Sequence, residues 1–583
     1  MAATPGDAFV IISGGGTPLS NNYSQFLQAR GLNDALRARY PTEAVWTFFG
    51  AGNHTGTPPA FADARRQLKQ DGLIVESWLP GVLAHNRPAT RAEILGALKA
   101  EILPRVAAGG TLYLFVGDHG ELTRAEPRES AITLWQMEKN GEGANGWRSN
   151  PAGVLSVSEL RTAFESGLGA GRVVFCFTCC HAGGFQYLDQ PRVAAPNPAW
   201  FAGTVPVECA AWSPRAAPVR IAGFTATTED SLAAGCAPDP DPEKWAGYER
   251  FIPEALLGID LMTGARTGPG LPSFAEAHIA ATLVDRTIDK PHSTAEAFLE
   301  RYATLIETML AKHQALTPAV RAQVEHYARV VGGENPGATD AAFVAQQKLY
   351  ARFTAALAEQ NPTSSKLLLA GTRAELETAI GPVAGNAGRG GRGGRGGASA
   401  ETRKLWTDTI RPAWKSALTA NQVAAVSAPA REFELYLIEL EEKNPRRDLI
   451  PGNRDAVRNE VFWRSGSAIP ALVDPAKVAA VTRWDADRRR VVLDWARAST
   501  DAAVRAAAEK WGGPARPAVR PAAANAVSGP PRAARKEALQ RALFYRRVLG
   551  AWDFLLALDE RPALAQLSAL LELERTPLPL ARM

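Results

Sequence analysis

The chain has 583 residues, with a hydrophobic fraction of 46% and a charged fraction of 21%, and both fractions are typical of globular rather than disordered proteins. This length exceeds what one hydrophobic core normally serves, so we expect two to four domains. The formal net charge of +5 is small for the length and gives no case for a nucleic-acid-binding surface.

The first half alternates apolar runs with helical patterns, which predicts an α/β fold with a mostly parallel sheet. The predicted strands are Phe9–Ser13, Ala44–Phe49, Leu73–Trp78, Thr111–Val116, Arg172–Phe177 and Val219–Ala226. The fourth and fifth of these runs are apolar on both faces, as in central parallel strands that helices cover on both sides. Capping-box pairs at Thr90 and Glu93, and at Ser156 and Glu159, predict the starts of two intervening helices.

After residue 295 the pattern becomes helical, and we expect an all-α second half. Helical periodicity covers 296–312, 318–330, 340–360, 366–379, 402–511 and 535–574. We therefore predict an α/β domain at 1–295, helical regions at 296–385 and 401–511, linkers at 386–400 and 512–534, and a C-terminal helical segment at 535–583. The glycine-arginine run within the first linker suits a flexible tether or a processing site, and it gives only a weak case for RNA binding because it lacks aromatic residues.

The cysteines and the N-terminus bear on the cellular compartment. Three of the five cysteines crowd into one apolar run, which is not the pattern of a disulfide framework. The N-terminus lacks the basic and long apolar regions of a secretory signal, and no run of about 18 apolar residues predicts a membrane span. We therefore expect a cytoplasmic protein that has no contact with membranes.

A reactive side chain follows each of the two predicted central strands. His119 comes shortly after Thr111–Val116, and Cys180 follows Arg172–Phe177. In parallel sheets the ligand site lies beyond the carboxyl ends of the strands, so we expect the two side chains to meet there. A thiolate that attacks a carbonyl and an imidazole that supplies a proton to the leaving amine are the requirements of acyl transfer. We assign Cys180 as the nucleophile and His119 as the general acid/base, and the backbone amides of Gly120 and Cys180 as oxyanion donors.

These residues also have structural interpretations. A free cysteine is often simply buried, a histidine at a strand end is often satisfied by backbone, and Asp118 is expected to cap a turn. Cys179 competes with Cys180, but adjacent side chains point to different sides, so only one can face a substrate. The segment from Cys176 to His181 superficially offers four metal ligands, yet zinc sites need a second, distant pair. We therefore expect neither a metal nor a cofactor.

The two blocks resemble those of the caspase-like cysteine peptidases. Phe115-Val-Gly-Asp-His-Gly120 is most similar to the histidine block of the legumain family, whereas Cys179-Cys-His-Ala-Gly-Gly184 looks more like metacaspases. Ile11-Ile-Ser-Gly-Gly-Gly16, followed by Asn21-Asn-Tyr23, also resembles legumains. In that family the asparagine helps to position the catalytic histidine, which implies an orienting role for Asn22.

The resemblance covers about residues 8–290 and implies a caspase-like three-layer sandwich. It further implies that the segment after the next strand borders the substrate cleft, which makes Thr227, Glu229 and Asp230 candidates for the substrate pocket. Thr178 is another, because it occupies the position where legumains and metacaspases commonly carry an acidic pocket residue. This departure leaves the preferred residue before the scissile bond open.

We thus expect a cysteine endopeptidase that acts on a protein or peptide substrate, with a helical half that regulates it or binds a protein partner. Some legumain relatives pass the acyl group to an amine, so a peptide transpeptidase or ligase is the alternative within the same chemistry. A non-catalytic caspase-like scaffold that holds partners through its helices is the alternative from another class. In legumains the C-terminal helices cover the active site until cleavage, and the sequence leaves open whether these helices do so.

Overall fold

The structure of the chain is a computed structural model. It describes residues 6–16, 20–53, 64–70, 73–79, 83–123, 126–135, 137–139, 147–149, 153–190, 194, 196–206, 219–235, 247–266, 271–312, 315–381, 400–426, 428–443, 450–451, 488–512 and 532–579. Most of the two predicted linkers, together with Cys209 and Cys236, lies outside these described residues.

Seven of the described strands form one sheet, which makes the first half an α/β structure as predicted. The strands are β1 (Ala8–Ser13), β2 (Val45–Phe49), β3 (Ala64–Gln70), β4 (Leu73–Leu79), β5 (Asn86–Arg87), β6 (Thr111–Gly117), β7 (His119–Leu122), β8 (Ser130–Thr133), β9 (Met137–Lys139), β10 (Trp147–Ser149), β11 (Val154–Ser156), β12 (Arg172–Phe177), β13 (Ile221–Thr225) and β14 (His292–Ser293). The main sheet has the order β14-β13-β12-β6-β1-β2-β5, and only the pair of β13 and β14 is antiparallel.

Five predicted strands are confirmed in this sheet, each to within two residues at either end. The run Leu73–Trp78 is confirmed as a strand, but it does not join the parallel sheet. It belongs to β4, which pairs antiparallel with β3 in a separate hairpin. In the sequence Asp71 and Gly72 separate these two strands, and this dipeptide favours a two-residue hairpin turn. The apolar run alone therefore does not predict which sheet a strand joins.

The central strands β1, β6 and β12 are buried at every position except Arg172. Their side chains alternate between two hydrophobic clusters, because successive residues of a strand point to opposite faces of the sheet. One cluster includes Phe9, Ile11, Tyr113, Phe115 and Val174, and the other includes Val10, Ile12, Leu112, Leu114 and Phe175. Helices cover both faces of the sheet, which is why these strands read as continuous apolar runs.

The helices follow the predicted pattern, with a predominantly helical second half. They are α1 (Tyr23–Arg37), α2 (Arg91–Ala97), α3 (Leu103–Val106), α4 (Val157–Gly167), α5 (Tyr248–Leu256), α6 (Phe274–Val284), α7 (Thr294–Lys312), α8 (Pro318–Val331), α9 (Ala341–Gln360), α10 (Ser365–Ala370), α11 (Arg373–Ile380), α12 (Ala400–Leu405), α13 (Arg411–Thr419), α14 (Ala428–Lys443), α15 (Ala502–Gly512), α16 (Arg532–Ala557) and α17 (Arg561–Glu574). Shorter 3₁₀ and π-helical turns lie at Thr42–Ala44, Leu98–Ile102, Ala182–Tyr187, Pro198–Trp200, Pro362–Ser364 and Trp406–Ile410. Within the described part of the chain, every helix is too short or too polar to span a lipid bilayer.

The predicted helix starts are also confirmed. The Thr90 hydroxyl accepts the backbone N–H of Glu93 ahead of α2, and Ser156 forms a complete capping box with Glu159 at α4. The helical pattern predicted over 366–379 divides into α10 and α11. The division falls where Thr372 caps the start of α11, because its side chain satisfies an N–H that would otherwise lack a partner.

The sheet and the helices after residue 294 share one hydrophobic core. Phe298 of α7, Tyr350 of α9 and Tyr545 of α16 belong to the same buried cluster as Phe115 of β6. Helix α17 packs directly against β13. The core therefore crosses residue 295, where the sequence predicts a domain boundary, so α7 to α11, α16 and α17 support the sheet that carries the site.

Residues between 400 and 512 form a further core. It is built around four large side chains, Trp406, Trp414, Ile438 and Trp511. Inside it the Arg488 guanidinium nitrogen Nε lies 2.6 Å from Glu434 Oε2, and both side chains are at most 1% exposed. This buried ion pair belongs to a cluster that is separate from the two clusters on the sheet.

Candidate active site

His119 lies two positions beyond the end of β6, at the carboxyl edge of the sheet. Its ring nitrogen Nε2 is 3.0 Å from the backbone oxygen of Ser20 and 3.2 Å from the side-chain nitrogen of Asn22. Both partners follow β1, the strand that pairs with β6. The parallel pairing therefore brings together residues that lie almost 100 positions apart in the sequence.

The contact with Ser20 determines where the imidazole proton lies. A backbone carbonyl oxygen only accepts hydrogen bonds, so the 3.0 Å contact requires a hydrogen on Nε2. Asn22 presents its side-chain nitrogen to the same ring atom, while its side chain accepts the backbone N–H of Gln25 in the capping box of α1. The Ser20 contact favours the tautomer that has its hydrogen on Nε2 and its lone pair on Nδ1.

Asn22 is held in place by the helix that it begins. It is the N-cap residue of α1, it is 6% exposed, and its backbone N–H donates to Gln25 Oε1 at 3.1 Å. The non-helical backbone of an N-cap residue fixes the direction of its side chain. The structure thus brings Asn22 to His119, the contact that an orienting role requires.

Asp118 is a buried carboxyl group beside the histidine. Its Oδ1 accepts the backbone N–H of His119 at 2.6 Å, and its Oδ2 has no hydrogen-bond partner among the described residues. Burial raises the pKa of Asp118 to about 7, although the neighbouring His119 opposes this shift. Asp118 therefore holds the turn between β6 and β7, which is the structural role expected from the sequence.

The three described cysteines have different surroundings. Cys176 and Cys179 are buried in the two different hydrophobic clusters, whereas Cys180 is only half-buried. Burial raises the pKa of the Cys176 and Cys179 thiols far above the ordinary range, so both stay protonated at neutral pH. The prediction that adjacent cysteines face different sides is confirmed, and Cys180 is the one that solvent reaches.

A backbone amide is directed at the sulfur of Cys180. Ala233 donates its N–H to Cys180 Sγ over 3.3 Å. Ala233 belongs to the segment 226–235 that follows β13, which we call the thiol loop. This N–H donor favours a thiolate over a thiol, because it stabilises the charged form. The carbonyl oxygen of Ala233 lies farther away, at 3.8 Å from the sulfur, and can accept from the neutral thiol.

The backbone of Gly120 lies against that of Cys180. A Cβ atom built on Gly120 would overlap the carbonyl oxygen of Cys180 and would lie 3.2 Å from its nitrogen. Strands β6 and β12 pair as far as Val116 and Phe177, and the chain segments beyond them stay side by side. The two amides predicted to bind an oxyanion therefore belong to neighbouring stretches of backbone, and only glycine fits at position 120.

The turn after Cys180 is fastened to the thiol loop. His181 has a left-handed backbone, with φ of 59°, and its N–H donates to the carbonyl oxygen of Ser231 at 2.8 Å. Its ring nitrogen Nδ1 donates to the carbonyl oxygen of Glu229, also at 2.8 Å. These contacts join the turn after Cys180 and the thiol loop at two points.

Two candidates for the substrate pocket, Thr178 and Thr227, lie inside the protein, where they are 3% and 0% exposed. The Thr178 hydroxyl donates to the carbonyl oxygen of Val116 and accepts from Gln28 Nε2. The Thr227 hydroxyl donates to the carbonyl oxygen of Leu232. Both hydroxyl groups therefore have partners within the chain, and both side chains are buried.

The other two candidates, Glu229 and Asp230, lie on the outer side of the thiol loop. They line a cavity of about 950 Å³ together with Lys290, Arg373 and Phe544. Its walls thus combine the thiol loop with side chains from α11 and α16, and they carry both signs of charge. Any peptide that extends into this cavity would contact the second half of the chain as well as the first.

The four candidate metal ligands of the sequence do not converge, since Cys176 and Cys179 lie in different clusters. Within the residues that the structure describes, no group of three or more His, Cys, Asp or Glu side chains is arranged to hold a metal ion.

Sequence reasoning missed the backbone groups of this site. The carbonyl oxygen of Ser20 fixes the imidazole, and the N–H of Ala233 contacts the sulfur. Neither depends on a side chain, so residue type gives no signal for them. The position of Ser20 just before the Asn-Asn-Tyr block is the one hint that the sequence holds.

No protein-family model matches the chain, and no curated protein matches it significantly.

Proposed function

We propose that the protein is a cysteine endopeptidase of caspase-like fold, with Cys180 as the nucleophile and His119 as the general acid/base. One observation carries the proposal. Two paired parallel strands, β6 and β12, end beside each other, and the residues that follow them are an oriented imidazole and a solvent-accessible thiol. This is the pairing of base and nucleophile that thiol acyl transfer requires.

The first step is formation of the thiolate. Nδ1 of His119 takes the thiol proton, and the resulting imidazolium keeps its Nε2–H on the carbonyl oxygen of Ser20. The N–H of Ala233 stabilises the negative sulfur. The thiolate then attacks the peptide carbonyl carbon, so that a carbon–sulfur bond forms and the carbonyl oxygen becomes negative.

The second step is collapse of the tetrahedral intermediate. The backbone amides of Gly120 and Cys180 donate to the oxyanion, and such donors typically contribute about 2.7–4 kcal/mol each. His119 gives its proton to the leaving amine as the carbon–nitrogen bond breaks. Water, deprotonated by Nδ1, then hydrolyses the thioester and restores the free thiol.

The caspase-like architecture is part of the same proposal. A mostly parallel sheet with helices on both faces, and a site at the carboxyl edge of its central strands, supports it. The second half of the chain enters the proposal as a structural support, because it shares the core beneath this sheet.

The test is incubation of the full chain with a degenerate peptide library, followed by mass spectrometry of the products. The wild type is expected to cleave peptide bonds, Cys180→Ala to lose all cleavage, and Cys179→Ala to retain it. Cys179→Ala is the matched control because it removes the adjacent thiol, which is buried away from solvent. Cleavage that survives in Cys180→Ala, or no cleavage of any peptide by the wild type, would overturn the proposal.

A further inference from the structure

Two successive residues, Asp289 and Lys290, form hydrogen bonds to the thiol loop. Asp289 Oδ1 accepts the backbone N–H of Ala234 at 2.6 Å, and Lys290 Nζ donates to Ser231 Oγ at 2.7 Å. These two bonds fall on either side of Ala233, the residue whose amide donates to the nucleophile sulfur. The position of that amide therefore depends on where Asp289 and Lys290 are held.

One face of helix α16 holds both residues. Arg541 Nε donates to the carbonyl oxygen of Asp289 at 2.7 Å, and Glu537 forms an ion pair of 3.1 Å with Lys290. Glu537 and Arg541 are four residues apart, so they lie on the same side of the helix. A single turn of α16 is thus connected to the thiol loop at two points.

The Arg541 contacts are buried, which strengthens them. Arg541 is 4% exposed, Asp289 is 0% exposed, and Arg541 also pairs with Asp285 Oδ2 at 3.0 Å. Burial and the charge of Asp285 raise the pKa of Asp289 to about 8, burial raises the pKa of Asp285, and the Arg541 guanidinium opposes both shifts. The two side-chain oxygens of Asp289 accept two backbone N–H groups, those of Ala234 and Tyr248.

We infer that Arg541 and Glu537 of α16 are positioning residues for the nucleophile Cys180. They act through Asp289 and Lys290, which hold the thiol loop where its amide donates to the sulfur. The catalytic meaning of this link rests on the proposed function, whereas the link between the helix and the thiol does not. Helix α16 is on this account an integral part of the site, so its removal abolishes activity instead of releasing it.

Loosening this link has a defined chemical effect. When the loop moves away, the sulfur loses an N–H donor that favours its charged form. Alkylation of the thiol then requires a higher pH, because the thiolate is the reactive species. Peptide hydrolysis shows a lower kcat with KM little changed, since substrate binding in the ground state does not depend on the sulfur charge.

The test compares Arg541→Lys and Glu537→Gln with a matched control, Arg547→Lys, all in the full chain. Arg547 lies on the same helix and pairs with Glu300 at 2.9 Å and Glu307 at 3.0 Å, both on α7 instead of the thiol loop. The measurement is the rate at which iodoacetamide alkylates Cys180 between pH 6 and 9, followed by peptide-resolved mass spectrometry. Melting temperature, kcat and KM are recorded for each variant.

Arg541→Lys and Glu537→Gln are expected to slow alkylation at pH 7 about 3- to 10-fold. This is the change in rate that results when the pH profile of alkylation moves to higher pH by about half to one unit. Arg547→Lys is expected to leave the rate at its wild-type value. Should Arg541→Lys fail to fold, Glu537→Gln still decides, because that side chain is partly exposed.

If both test variants are alkylated at the wild-type rate and differ from the wild type only in a lower melting temperature, the inference is overturned. An equal effect of Arg547→Lys would also overturn it. If the variants respond as expected but the wild type cleaves no peptide, the proposed function fails and the positioning role stands.

Discussion

The backbone amide of Ala233 donates to the sulfur of Cys180 across 3.3 Å, although the two residues lie 53 positions apart in the sequence. The neighbouring thiol of Cys179 is inaccessible to solvent, because it is buried in the hydrophobic cluster on one face of the sheet. Two adjacent cysteines therefore have opposite chemical environments. Among the three described cysteines, only Cys180 combines access to solvent with a backbone N–H donor to its sulfur.

The contact between Asn22 and His119 leads to a prediction about rate. Asn22→Ala should lower kcat about 10- to 100-fold with little change in KM, because a misoriented base slows proton transfer without weakening substrate binding. Steady-state kinetics on a cleaved peptide measures the effect. Ser156→Ala is the control, since it removes the side-chain cap of α4 without touching the histidine. Equal kcat values for Asn22→Ala and the wild type would rule out the orienting role.

The close approach of Gly120 to Cys180 predicts that no side chain is tolerated there. Gly120→Ala should abolish activity and lower the free energy of unfolding by about 1–3 kcal/mol, because its Cβ overlaps the Cys180 carbonyl oxygen. Gly96→Ala on α2 is the control, because its added Cβ meets no atom within 4 Å. The control should be as stable as the wild type or slightly more so. An active Gly120→Ala variant would contradict the backbone arrangement of the site.

The raised pKa of Asp118 predicts how the free energy of unfolding depends on pH. Its pKa is about 7 in the folded protein and near 3.8 when unfolded, so the folded state binds the proton more tightly. The free energy of unfolding should therefore fall as pH rises from about 4 to about 7, by at most about 4 kcal/mol. Asp118→Asn keeps the acceptor for the His119 N–H but cannot ionise, so this part of the pH dependence should vanish. Denaturant titrations at several pH values measure it, and equal slopes for variant and wild type would refute the prediction.

Because the core between residues 400 and 512 is separate from the clusters on the sheet, a mutation inside it should destabilise this core alone. Glu434→Gln should destabilise that core by about 3–5 kcal/mol, because it leaves the buried Arg488 charge without its counter-charge. Lys415→Ala, which removes a partly exposed ion pair with Glu442, should cost about 1 kcal/mol or less. Hydrogen exchange resolved by peptide should show faster exchange in this core alone. Equal acceleration in the sheet would show that the two cores unfold together.

The sheet could be predicted from the sequence because its central strands carry a dense local signal. The runs at Thr111 and Arg172 are apolar on both faces, and each is followed by glycine or a turn. Parallel strands place their carboxyl ends at one edge, so the position of His119 and Cys180 at the same edge of the sheet follows from strand assignment alone. The contact between Asn22 and His119 could be predicted only from the resemblance to a known family, because the sequence around Asn22 does not indicate a nearby histidine.

The remaining features depend on contacts between distant parts of the chain. Arg541 and Asp289 are 252 positions apart, and neither side chain lies in a motif. The Ser20 carbonyl and the Ala233 amide are backbone groups, which any residue type provides. Thr178 illustrates the converse, because the residue that the resemblance suggests for a substrate pocket has its hydroxyl group bonded to the carbonyl oxygen of Val116.

The central claim is that Cys180 attacks a carbonyl with His119 as its base, and one labelling experiment tests it most directly. The full chain is treated with a peptidyl acyloxymethyl ketone, and the adduct is located by tandem mass spectrometry. The account predicts a single adduct on Cys180 that His119→Ala slows by orders of magnitude. An adduct on Cys179, or labelling of Cys180 at the same rate in His119→Ala, would contradict it.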